Sequence, residues 1–134
     1  MRRSWIVPVA LLGFSACAVG ASTRTFAPAN EPQGIEADLR LERGKTRIQG
    51  ELLEVQDTAL LVLRDDARVT VVPLRAIRFG SFHRRGTLIV GGRVRPNERE
   101  RLRLVSRFPA GLTPELRARL LAAYGQTEIE RVGP

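Results

Sequence analysis

Between Ile35 and Phe82 the chain is cut into short apolar runs by turn-forming residues, and this punctuation constrains the fold more than any other feature. Ile35, Ala37, Leu39 and Leu41 alternate with Glu36, Asp38, Arg40 and Glu42, the period of two of a strand with one buried face. Arg43-Gly44-Lys45 supplies a turn, and Thr46 to Val55 reads as a second strand. Gly50 inside that strand fits a bend or bulge at which no side chain is accommodated. After the turn Gln56-Asp57-Thr58, the nearly continuous apolar run from Ala59 to Leu63 predicts a strand covered on both faces. Asp65-Asp66 turns the chain into a fourth strand, Arg68 to Val72. Pro73 has no N–H for a ladder and so marks that strand's end or an edge. Leu74 to Phe79 supplies a fifth element, with Ile77 and Phe79 on one face. Elements of this length and spacing predict a mainly β fold with α: a five-stranded small barrel or strongly bent antiparallel sheet over residues 35–82.

Residues 83–96 read as a loop, in which Thr87 to Val90 is a candidate for one more strand. Residues 97–134 read as a helical segment packed on the sheet. Asn97 followed by Glu98 and Glu100 has the pattern of a capped helix start, so 98–107 is read as helix. The alternation Arg101-Leu102-Arg103-Leu104 fits a strand equally well, and the choice stays open at this point. Phe108-Pro109-Ala110-Gly111 breaks that element. Thr113 is then an N-cap with Pro114 at the first helical position, and Gly125 is the C-terminal stop. Leu116, Leu120, Leu121 and Tyr124 form one apolar stripe, with Arg117 and Arg119 facing away. With Phe108 and Leu112, that stripe is expected to cover an open side of the sheet and protect an edge.

The length of 134 residues suits one core rather than two. An apolar content of 43% excludes wholesale disorder, and a single cysteine excludes a disulfide scaffold or a cysteine-ligated zinc module. That cysteine closes a distinctive N-terminal segment. Met1-Arg2-Arg3 is a positive head, Trp5 to Phe14 an apolar run, and Ser15-Ala16-Cys17-Ala18 a small-residue stretch. Head, run and small residues in this order are the pattern of a secretory signal peptide, here residues 1–16. The apolar run is too short for a membrane-spanning helix, which needs about 20 residues. Phe14-Ser15-Ala16-Cys17 resembles the lipobox of bacterial lipoproteins. The resemblance implies cleavage before Cys17, lipid attachment with palmitate-type acyl chains at Cys17, and an envelope protein held to a membrane. Ala18, rather than Asp, implies outer-membrane placement on the periplasmic face in a diderm cell. An ordinary secretory signal cut near Ala18 or Ala21 is the alternative. Residues 17–34 are small, polar and proline-containing and read as a flexible linker behind the lipidated residue.

Within the sheet region, Gly50-Glu51-Leu52, Val55, Leu60-Leu61-Val62, Val72-Pro73-Leu74 and Ile77 follow a rhythm similar to that of Sm-like and SH3-like barrels. Every matching position is a core or turn position, so the resemblance implies architecture and not activity. The RNA site of Sm proteins resembles an Asp-x-x-x-Asn loop with a later Arg-Gly. Here Asp57 is followed by Thr-Ala-Leu-Leu without Asn, and Phe79 separates Arg78 from Gly80. Both departures fall on base-holding residues and argue against nucleic acid as the ligand.

No catalytic, metal or cofactor set is expected. His83 is the only histidine, and its neighbours Arg84 and Arg85 repel a divalent cation. Ser81 and Ser106 lack a nucleophile-elbow context, and Gly91-Gly92 lacks the spacing of a phosphate-cradling loop. The formal charge of +8 is the one non-neutral feature, and only Lys45 among the 22 basic residues is not arginine. Arg75, Arg78, Arg84, Arg85, Arg93 and Arg95 are the candidate contacts for an anionic partner, provided the 75–103 segment presents one face. Phe79 and Phe82 among them are expected in the core. The expected function is that of a non-catalytic binding or structural module in the envelope, contacting a membrane through its anchor and an envelope protein or anionic polymer through these arginines. A secreted Sm-like nucleic-acid-binding module using the same arginines is the alternative.

Overall fold

A computed structural model describes residues 34–42 and 46–132. The candidate signal segment 1–16, Cys17, the linker up to residue 33 and the Arg43-Gly44-Lys45 turn lie outside the described residues. In chain order the elements are β1 (Ile35–Leu41), β2 (Arg47–Val55), β3 (Ala59–Arg64), β4 (Val69–Pro73), a 3-10 turn (Leu74–Ala76), β5 (Ile77–Arg84), β6 (Thr87–Gly92), α1 (Pro96–Val105), α2 (Pro114–Ala123) and β7 (Glu130–Arg131). The strands form one open sheet in the order β6-β5-β1-β2-β3-β4-β7. Neighbours are antiparallel except β4 and β7, which are parallel. The fold is therefore mainly β with two C-terminal helices, and the described sheet has seven strands where five were expected.

The sheet bends. Val90 of β6 and Val72 of β4 belong to one buried cluster, together with Leu39, Leu52, Leu60 and Phe82. In a flat sheet β6 and β4 would stand about 24 Å apart, at about 4.8 Å per strand. Gly50 permits the bend, because a β-carbon there would lie 2.0 Å from the Leu63 carbonyl oxygen. Leu102 of α1 completes this inner cluster.

A second cluster lies on the opposite face of β2, β3 and β4. Leu52 packs inward and Leu53 outward, and the register shift between Leu52 and Glu54 makes Leu53 an extra residue, so that Val55 rather than Glu54 returns to the inner cluster. Leu53, Leu61 and Val69 meet Leu112, Leu120 and Leu121, with Phe108, Leu116 and Tyr124 packed around them. Each fully buried leucine contributes about 1.5–3 kcal/mol. The expectation that β3 is covered on both faces holds, since Leu60 and Val62 enter the inner cluster and Leu61 the outer.

α2 has the expected ends. The Thr113 hydroxyl accepts from the Leu116 N–H at 3.2 Å, and Pro114 opens the helix. Gly125 stands at φ +66°, and the N–H groups of Gln126 and Gly125 donate to the carbonyls of Leu121 and Ala122. α1 is a helix, but it starts at Pro96 with Arg95 at the cap position, not at Asn97. Glu98 reaches back to accept from the Arg95 N–H at 2.9 Å.

Three other expectations are corrected. Residues 83–96 are not a loop, because β5 runs to Arg84 and the candidate strand at Thr87 to Val90 is present as β6, extended to Gly92. Residues 97–134 are not wholly helical, because Glu130–Arg131 pairs with Thr70–Val71 as β7. Ile77 and Phe79 do not share a face. Leu41 pairs with Ile77 and Arg40 with Phe79, so Arg78 is an extra residue that turns Phe79 outward.

Candidate functional site

The β5–β6 hairpin divides the candidate arginines between its two ends. Arg84 and Arg85 occupy its tip, where Arg84 pairs with Thr87. Arg78 lies at the start of β5, and Arg93 just beyond the end of β6. At about 3.3 Å per residue, the six steps from Arg78 to Arg84 span about 20 Å. Arg75 sits apart in the 3-10 turn and Arg95 at the entry to α1. The 75–103 segment thus presents several basic points and not one face.

These arginines differ in what they bind. Arg93 donates to Glu42 at 2.9 Å, and Arg95 is tied through its backbone to Glu98. Arg103 bonds the Val55 carbonyl at 3.3 Å and pairs with Asp57 and Glu100, while Arg99 donates to the Asp57 carbonyl, so α1 grips the β2–β3 turn. The Arg75, Arg78, Arg84 and Arg85 side chains are exposed and have no hydrogen-bond or ion-pair partner among the described residues.

Arg75 borders an open groove of about 1190 Å³ between the β2–β3 turn, the 3-10 turn, α2 and β7. Arg117 and Arg131 line the same groove, with Asp57 and Glu128 as its acidic members. Arg117 does not face away from the body as its place on the helix suggested. It is half-buried, and its Nε is enclosed without a partner among the described residues. Neither Arg117 nor Arg131 was a candidate in the sequence, because their meeting with Arg75 depends on β7 pairing with β4.

The outer face of β6, β5 and β1 is not covered by α2. Phe79 is 44% exposed and Leu88 56% exposed on this side, whereas Phe82 is fully buried. Ser81, His83 and Asp38 also share this face, through the pairs Asp38–Ser81 and Glu36–His83. No hydrogen bond joins the three among the described residues, and the Asp38 carboxylate is instead held by Arg47, whose Nε lies 2.7 Å away. That hydrogen bond holds the Asp38 carboxyl below its ordinary range, against a smaller opposing effect of partial burial. A nucleophile–base unit needs its members within hydrogen-bond reach, and this trio lacks that link. Ser106 caps α1 by donating to the Arg103 carbonyl at 2.7 Å.

Deeper in the molecule, Glu51 and Arg107 form a buried ion pair at 3.2 Å, with side chains 5% and 2% exposed. Glu51 also accepts from the Gly34 N–H at 2.6 Å, which ties the entry to β1 to the pair. Among the described residues, no three His, Cys, Asp or Glu side chains gather as a metal set, and no helix is long and apolar enough to cross a membrane. Compared with protein-family models, curated proteins and solved structures, the chain matches none of them.

Proposed function

We propose that this is a lipid-anchored protein of the cell envelope whose folded part is a non-catalytic binding or structural module. The observation that carries the reading is the N-terminal order: Met1-Arg2-Arg3, an apolar run, then Ser15-Ala16 before the single cysteine. In the proposal Cys17 bears acyl chains, residues 18–34 form the tether, and the sheet domain begins at Ile35 on the outer side of the export barrier. In a diderm cell the anchor sits in the periplasmic face of the outer membrane. Arg75, Arg78, Arg84, Arg85, Arg93 and Arg95 supply the cationic contacts for an envelope partner.

The domain itself reads as a modified small barrel of the SH3/Sm-like kind. The order β5-β1-β2-β3-β4, the 3-10 turn between β4 and β5 and the bend at Gly50 support this finer description. β6 extends one side of that unit and β7 the other.

Metabolic labelling with an alkyne analogue of palmitate tests the anchor. The wild-type chain takes up label and the Cys17→Ser variant does not. A wild-type chain without label, or equal labelling of the variant, contradicts the proposal.

A further inference from the structure

β1 and β5 run antiparallel, and their last pair is Glu36 with His83. One step further along the ladder, the start of β1 lies beside Arg84. The start of β1 and the tip of the β5–β6 hairpin therefore lie at the same end of the sheet. The tip itself has an unusual backbone. Arg85 stands at φ +49° and Gly86 at φ +80°. Two-residue hairpin turns with positive φ at both positions favour Asn, Asp or Gly first, because a side chain with a β-carbon is disfavoured there. An arginine in that place breaks the local rule, and such exceptions concentrate at functional positions. Arg84 and Arg85 are both exposed and unpartnered among the described residues.

Apolar side chains accompany these charges. Leu88, which pairs with His83 just behind the tip, is 56% exposed. Leu104 is 76% exposed in the last turn of α1. That helix exits at Arg107, whose N–H donates to the Leu52 carbonyl at 3.1 Å, and Leu52 is paired with Ile35. The start of β1 is thus flanked by two guanidinium groups unpaired among the described residues and by elements carrying exposed leucines.

We infer that the Arg84–Arg85 hairpin tip is a contact site for an anionic phospholipid surface, with Leu88 at the headgroup boundary. The inference rests on the lipid-anchor reading for the identity of the membrane, and it makes that membrane the partner of the tip. Guanidinium forks match phosphodiester oxygens, and a leucine beside them enters the interfacial layer. The exposed tip, with open space around Gly86, offers a compact point contact that suits a planar surface better than a polymer. The remaining candidate arginines on the hairpin lie about 20 Å away at its other end, so no continuous basic stripe tracks a nucleic-acid backbone. A basic contact beside an acyl anchor adds electrostatic attraction to an anionic surface and orients the domain on it.

The test uses the full chain with Cys17→Ser, so that acyl chains do not dominate. Its partition is measured on vesicles of phosphatidylcholine containing one third phosphatidylglycerol and on vesicles of phosphatidylcholine alone. The ratio of the two cancels what the N-terminal segment contributes to both. Adding R84S and R85S is expected to lower that ratio about 30-fold, at about 1 kcal/mol per arginine. R84K/R85K retains most of the ratio, and R131S, an exposed arginine outside the proposed contacts, leaves it unchanged. An unchanged urea midpoint for R84S/R85S shows that the fold is kept. An undiminished ratio in R84S/R85S overturns the inference. So does loss of oligonucleotide binding with vesicle binding intact, which makes the tip a nucleic-acid contact. An exported wild-type chain without acyl groups removes the anchor reading while leaving the vesicle result standing, so the two failures are separable.

Discussion

A β-carbon on Gly50 would meet the Leu63 carbonyl oxygen at 2.0 Å and the Arg64 α-carbon at 2.7 Å, both backbone atoms that cannot yield without moving β3. Gly50→Ala is therefore expected to lose at least about 3 kcal/mol of unfolding free energy in a urea titration. Gly91→Ala is the contrast, because its new carbon would touch only the Leu88 side chain, at 3.4 Å. It is expected to stay within about 0.5 kcal/mol of wild type. The Asp38–Arg47 pair makes a different prediction. Because Arg47 lowers the Asp38 carboxyl in the folded chain, the pair's contribution is present above the unfolded carboxylate value of about 3.9 and is lost as pH falls through the lower folded value. Urea midpoints measured below about pH 4 should fall less steeply in Asp38→Asn than in wild type. Salt should narrow the difference, since the Arg47 side chain is 51% exposed. The bend at Gly50 was legible in the sequence because a glycine amid strand-forming residues forfeits side-chain packing, which a strand tolerates where a neighbouring backbone comes too close for a β-carbon. The outward turn of Phe79 was not. Alternation from Ile77 puts the two on one face, and only the register against β1 reveals the extra residue at Arg78. The candidate arginines were legible one by one, but their separation along the hairpin is a property of strand pairing.

α2 was readable from end to end because its signals are local: a capping threonine, a first-turn proline, an apolar stripe and a closing glycine. β7 left no such trace. It is two polar residues long and exists through pairing with β4 and through Gln126. The Gln126 side-chain amide receives the Val69 N–H at 2.6 Å and donates to the Val69 carbonyl at 3.2 Å, so it occupies the β4 edge as another strand would. An uncovered edge is a template for pairing with a further chain. Gln126→Ala is expected to cost about 1–3 kcal/mol by leaving the Val69 groups without that partner. Deleting residues 126–134 should also produce concentration-dependent association in sedimentation velocity. A truncated chain that stays monomeric at every concentration would refute this role for the C-terminal segment.

Across the whole molecule the two buried clusters lie on opposite faces of one bent sheet, and the cover is unequal. α2 shields the outer face of β2, β3 and β4, while Phe79 and Leu88 remain exposed on the β5 and β6 side. The buried Glu51–Arg107 pair and the Gly34 N–H fasten the beginning of the described chain to the exit from α1. Glu36 pairs with His83, so the beginning of β1 and the Arg84–Arg85 tip lie at the same end of the sheet. In the proposed reading, anchor, tether and domain form one device that holds a small sheet against an envelope membrane. The deciding measurement is the intact mass of the exported protein. The expected value is that of a chain beginning at Cys17 with acyl chains attached. A mass equal to the uncut, unmodified polypeptide would contradict it.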